Sequence, residues 1–381
     1  MGKDRAGDKM PLRCRDIIRT METLAPPKHA ESWDKIGLQI GDPNSIIKKV
    51  MVTLDATLPV VEEAVSKGVD LLIVHHTPFF NPLENIRWDN PQGRIIQLLI
   101  QANINLYCAH TNLDSTIGGV NDILAKKLEL NNVQILFPSW KEQYIKIVVF
   151  VPAGFEDQVR AAMGEKGAGH IGNYSNCTFQ LSGTGTFRPL EGINPYIGAQ
   201  GQLEKVEEYR IETIVPQEKV EQVLLAMIKA HPYEEVAYDL YPLENNGKYS
   251  GLGRLGSYEK ELTMAELIEK VKTVLDISDI RFVGDIDKNI KNVALCGGSG
   301  ASLIKLAVEK GAQVFITGDV KYHEAQEAES LGLSLIDAGH FSTEHPVVKV
   351  VADFLRNSLD IKQIEIIESQ VNTNPFKVYY G

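Results

Sequence analysis

Residue types that bind divalent metals stand at the ends of apolar runs in this chain. His75 and His76 close VDLLIV, His110 closes INLYCA, and His340 closes LSLIDAG. A carboxylate follows two of these at the same interval, Asp114 after His110 and Glu344 after His340. Runs rich in β-branched residues read as strands. In an open α/β sheet the carboxyl ends of strands are where loops converge on a ligand. Imidazoles and carboxylates gathered there are the donor set of a divalent-metal site.

Each motif has a plainer reading beside this one. Neighbours in a strand face opposite sides, so His75 and His76 meet one ligand only if the backbone turns at Thr77-Pro78; otherwise they are incidental loop histidines. Asp114 and Glu344 suit the positive end of a helix whatever their function. That reading is weaker for a His-x-x-x-carboxylate spacing that occurs twice, because capping needs no histidine. His110 reads either as an outer partner of a ligand or as a satisfied strand-end histidine. His323 is a candidate for orienting a ligand from outside, and His345-Pro346 for starting a helix. CGGSG (296–300) lacks the Walker lysine and the dinucleotide spacing, so it reads as a tight strand-to-helix turn. HPYEE (231–235), with His231, reads as structural.

The elements that must position these residues repeat. VMVTLDATLPVVEEAVSKGVDLLIVHH (50–76) and NVALCGGSGASLIKLAVEKGAQVFITGD (292–319) both read strand, turn, amphipathic helix ending in Lys-Gly, strand. INLYCAHTNLD (104–114) then parallels LSLIDAGHFSTE (333–344), with helices expected over 120–130 and 346–357. Strands alternating with helices predict an α/β fold with a mostly parallel sheet covered on both faces. Between the halves, VVFVPAGFEDQVRAAM (148–163) echoes ETIVPQEKVEQVLLAM (212–227). Each is followed by a β-rich stretch, which predicts a ferredoxin-like β-α-β, β-α-β order. The expected division is therefore 1–137 and 250–381 as the two halves of one α/β domain, interrupted by an α+β insert over 138–249.

At 381 residues, two domains are expected. A formal charge of −11 and the lack of any Lys/Arg run argue against a nucleic-acid partner. Four cysteines without paired spacing exclude a disulfide framework. No apolar run nears the roughly 20 residues that span a bilayer, and the charged N-terminal segment lacks the apolar stretch of a signal peptide. A cytoplasmic protein that does not engage membranes is expected.

The motifs SWDKIGLQIGD (32–42), VHHTPFF (74–80), AHTNLD (109–114), ITGDVKYHEA (316–325) and DAGHFSTEH (337–345), in this order, resemble those of the Nif-three-like family, also called GTP cyclohydrolase 1 type 2 homologues. The middle of the chain, with GTGTFRP and HPYEEVAYDLYPL, resembles the longer bacterial members that carry a PII/CutA-like insert. The resemblance implies a dinuclear metal centre with His75, His76, Asp114, His340 and Glu344 as ligands and Glu344 as the bridge. It also implies a homohexamer.

Two divalent ions per subunit are thus expected, zinc first, with Mn, Fe or Ni as alternatives that the mixed donors also suit. The expected function is metal-dependent hydrolysis of a small molecule, since an amide, a cyclic C–N bond or a phosphoester all suit such a centre. The rival expectation is a metal- or metabolite-binding regulatory protein, favoured by the kind of fold expected for the insert.

Overall fold

The computed structural model describes residues 11–360 and 363–379; the N-terminal residues on which the signal-peptide expectation rests lie outside them. Two compact units result, Met1–Trp140 with Ser250–Gly381, and Lys141–Tyr249.

The first unit holds two sheets. Its N-terminal part supplies β1 (Gly37–Ile40), β2 (Lys49–Asp55), β3 (Leu71–His76), β4 (Asn105–Cys108) and β5 (Asn131–Lys141), the last running straight through Phe137-Pro138. The second unit contains β6 (Tyr144–Pro152), β7 (Thr178–Phe187), β8 (Glu204–Pro216) and β9 (Tyr238–Leu243). The chain then returns through β10 (Tyr249–Thr263), β11 (Arg281–Val283), β12 (Asn289–Leu295), β13 (Val314–Thr317), β14 (Ser334–Asp337) and β15 (Glu365–Glu368).

One sheet has the order β1-β4-β3-β2-β15, the other β11-β14-β13-β12-β10-β5. Both centre on three parallel strands, β2-β3-β4 and β12-β13-β14, and both add a short antiparallel strand beside the third of them. The internal repeat is therefore a repeat of structure. Alternating side chains divide each sheet between two cores, as the strand period of two requires. Leu71 and Ile73 of β3 join one core, while Leu72 and Val74 join another against the helices Leu58–Ser66 and Pro91–Gln101. In β13, Val314 and Ile316 face one core and Phe315 the other.

The halves exchange their last helices. Val120–Lys127 belongs to the first half by sequence, yet Leu124 and Ala125 are buried with Val293, Leu295, Val314 and Ile316 of the second sheet. Conversely, Pro346–Ser358 of the second half buries Val347, Val351 and Leu355 with Val50, Val52 and Leu71 of the first sheet, and β15 pairs in parallel with β2. Arg254 of β10, 2% exposed, fastens one exchange. Its guanidinium donates to both oxygens of Asp122 (2.5 and 3.1 Å) and to the carbonyls of Gly251, Gly253 and Thr116. A buried guanidinium is tolerated when its donors are satisfied in this way.

In the second unit the strand order is β7-β8-β6-β9, all antiparallel, with the element sequence strand-helix-strand twice over. The helices Glu156–Glu165 and Val220–Ala230 cover one face, packing Val159, Met163, Val223 and Met227 on Ile147, Val149, Ile211 and Val215. Among the described residues, no helix is long and apolar enough to cross a membrane.

Candidate metal centre

The parallel strand β3 ends at His76, and both of its final histidines reach the same place. Their ring centroids lie 4.7 Å apart. Beyond β4 the chain turns at His110 into the short helix Thr111–Ser115, which carries Asp114 inward. Beyond β14 it turns at Gly339, whose φ of +80° suits glycine, into the helix His340–Glu344. His75, His76, Asp114, His340 and Glu344 are thereby brought together from both halves.

Glu344 sits at the centre. Its Oε2 lies 3.0 Å from Nε2 of both His76 and His340, while its Oε1 lies 3.8 Å from Nε2 of His75. His75 Nε2 is also 3.5 Å from Asp114 Oδ1. Three sets of donor atoms each fall within 4.8 Å of one another: His75, Asp114 and Glu344; His76, His340 and Glu344; and His75, His76 and His110.

The far side of each imidazole is fixed. Nδ1 of His75 faces the carbonyl of Ala109 at 2.9 Å, that of His76 faces Asp55 at 2.8 Å, and that of His340 faces Asp319 at 2.7 Å. An acceptor at Nδ1 demands a proton there, which directs Nε2 and its lone pair into the cluster whenever the ring is neutral. Asp55 is itself positioned by register, since it pairs with His76 across β2 and β3, and it accepts a hydrogen bond from Thr373.

The cluster's charge is concentrated. Burial pulls the His76 imidazole down, but the hydrogen bonds and charges of Asp55 and Glu344 outweigh it and hold the ring up at about 10. In His340 the same contest between burial and the carboxylates of Glu344 and Asp319 ends at about 9. Burial pushes the Glu344 carboxyl up, yet His340, His75 and His76 together hold it well below the usual range. Burial raises Asp114. His75 Nε2 and Asp114 Oδ1, 3.5 Å apart, are nevertheless buried and neither has a hydrogen-bond partner. Such a pair is costly unless a proton or cation lies between them, so the donor set fits a divalent cation.

The strand-to-helix turn after β12 closes around Glu344. Gly298 has φ +64°, and a Cβ there would stand 2.1 Å from Glu344 Oε1. Gly298→Ala should therefore displace the carboxylate and destabilise the fold by more than about 1 kcal/mol. Urea denaturation reads this, and an unchanged midpoint would refute it.

Other sequence candidates lie elsewhere. His323 is exposed, with Nδ1 against Gln326, and joins none of the donor sets. His345 stacks on Phe341. His231, in the second unit, faces the Phe150 carbonyl through Nε2 and accepts the Tyr233 N–H at Nδ1. His110 is closer than either sequence reading required. Its Nδ1 is held by Asp34 at 3.0 Å, and its ring lies 5.2 Å from His75 and 5.5 Å from His76. Asp34 also accepts the backbone and hydroxyl protons of Thr111. Burial pushes its carboxyl up, and those hydrogen bonds bring it down to about 2.

A repeated parallel α/β sheet with imidazole and carboxylate donors between its halves defines a class of two-part α/β proteins with candidate metal-binding clusters. The chain belongs to the Duf34/NIF3 (NGG1p interacting factor 3) family, whose profile matches residues 12–375. It is 46% identical over 364 residues to the GTP cyclohydrolase 1 type 2 homolog of Bacillus subtilis, covering 95% of this chain and 97% of that one. Its fold is similar to that of a Bacillus cereus protein related to NIF3 (TM-score 0.86, 44% identity, 97% of this chain and 100% of that one). A Staphylococcus aureus protein is also similar (TM-score 0.80, 32% identity, 97% and 99% covered).

Proposed function

We propose that the protein holds two divalent ions, zinc first among the candidates, and hydrolyses a small molecule. The observation that carries this reading is the division of Glu344: one oxygen faces His75 and the Asp114 side, the other faces His76 and His340. In this reading His75 and Asp114 hold one ion, His76 and His340 the other, and Glu344 both. Bound there, the ions would supply Lewis acidity toward a carbonyl or phosphoryl oxygen and activate water at neutral pH. The chain's own contribution is orientation. Ala109, Asp55 and Asp319 keep the Nδ1 protons in place and aim three Nε2 atoms inward. Imidazole with carboxylate suits Zn, Mn, Fe or Ni better than Ca or Mg.

Elemental analysis of protein purified without chelator should find two ions per chain, and the same two in His231→Ala, whose histidine bonds only backbone within the second unit. One ion or none at saturating metal, or loss of metal in His231→Ala, would overturn the assignment. Turnover is then sought with the loaded protein on phosphoesters, cyclic amides and nucleotides. GTP is included because the Bacillus subtilis relative bears the name GTP cyclohydrolase 1 type 2 homolog. Metal binding without turnover on any of them would favour a regulatory role.

A further inference from the structure

Beside the donor cluster lies a group of rings that holding metal does not require. Trp33 and Phe80 are 54% and 55% exposed, with centroids 5.8 Å apart and planes tilted by 41°. Both meet His110 edge-on, at 6.1 and 5.7 Å, and His110 in turn meets His75 and His76. The rings thus form a wall continuous with the cluster.

Hydrogen bonds hold the Trp33 side of the wall. Trp33 stands on a turn pinned at both sides: Glu31 N–H donates to Thr111 Oγ1 at 3.0 Å, and the Asp34 carboxylate accepts from His110 and from Thr111. Phe80 lies four residues past His76, in a segment where Thr77 Oγ1 accepts the Phe79 N–H at 3.1 Å. Two large rings kept in water beside a polar cluster forgo burial worth about 1.5–3 kcal/mol for a residue such as Phe. Ligand pockets combine just these parts, aromatic walls and a few convergent polar groups.

We propose that Trp33, Phe80 and His110 bind the flat heteroaromatic portion of the molecule on which the metal centre acts; the inference rests on the metal-centre reading above. A ring lying on Trp33 and meeting Phe80 and His110 at their edges uses the offset and edge-to-face geometries that aromatic groups favour. The ring must carry polar edge atoms. It would lie beside the partly exposed imidazoles of His76 and His110, and a hydrocarbon ring would strip water from them without replacing its hydrogen bonds. Purines, pyrimidines and pterins have this chemistry, whereas sugars and acyl chains do not.

The test uses the metal-loaded full-length protein in equilibrium dialysis against guanosine, uridine and pterin, with ribose as the ring-free control and metal content measured on the same samples. At least one ring compound should bind and ribose should not. Trp33→Ala and Phe80→Ala should each weaken binding roughly ten- to a hundredfold, the range that ring stacking is worth. Trp33→Phe should recover most of the loss, and metal content should stay constant throughout. The inference falls if no ring compound binds wild-type protein carrying its full metal, or if binding ignores both alanine variants. It falls too if Trp33→Ala splits a multimer in light scattering while ring binding is unchanged, because the rings then cover a second copy of the chain. Wild-type protein that lacks metal but binds a ring through Trp33 overturns the metal reading and leaves the ring site standing.

Discussion

Glu344→Gln should give a folded protein nearly devoid of metal. Glutamine keeps the shape of the side chain and removes the charge that both histidine groups share. Each Glu344 oxygen faces a different part of the cluster, so one substitution should empty both positions together. The loss should exceed the roughly 10- to 100-fold in affinity that removing an outer partner costs. Metal content after dialysis is the measurement, with circular dichroism to establish folding. A variant that keeps one of two ions would show that Glu344 serves a single position, and the shared-carboxylate reading would be wrong.

The second large effect is on protons. The carboxylates of Asp55, Glu344 and Asp319 hold His76 up at about 10 and His340 at about 9, which favours a second proton on each ring at pH 7 without metal. A ligating imidazole must give up its Nε2 proton. Metal uptake should therefore release protons at neutral pH. The apparent affinity should climb by up to about a hundredfold per pH unit while both rings are charged, and level off as pH passes about 10. The sign follows from the raised values: competition by protons is complete below about 9 and ends above about 10. Uptake followed in weakly buffered solution with a pH indicator gives the count directly. No proton release at pH 7 would mean that the rings are already neutral, because two protonated Nε2 atoms 3.3 Å apart repel each other.

The donors were legible because chemistry and position coincided. His75, His76 and His340 end apolar runs, and the paired His-x-x-x-carboxylate spacing singled out Asp114 and Glu344 twice over. The acceptors behind them were not. Asp55 and Asp319 look like ordinary strand-end aspartates, and what gives Asp55 its place is its pairing with His76 across two strands, which a single sequence does not display. The repeat held a partial signal, since aligning 69–76 with 312–319 sets Asp319 opposite His76. One copy has a candidate ligand where the other has the acceptor that orients His340. His110 stayed ambiguous because the choice depends on Asp34, 76 residues earlier in the chain. The helices were expected near their observed bounds, but amphipathic spacing shows only that a helix has an apolar face. It does not say which sheet that face will cover.

The exchange of helices makes each half an incomplete object. A chain ending after the first half would leave Val50, Val52 and Leu71 without their cover from Val347, Val351 and Leu355. It would also strand Leu124 and Ala125 away from their own core. The cover arrives only after more than two hundred further residues have been made, and contacts at such separation are slow to form. During synthesis the first half would therefore lack this cover until the last helix docks. The candidate donors are split in the same manner, so a nascent chain cannot hold a complete set of them. Any ion bound by the finished set adds its binding energy to the closed state alone. Metal occupancy would then act as a receipt for completed folding, and a truncated or stalled chain would be marked by its inability to keep the ion.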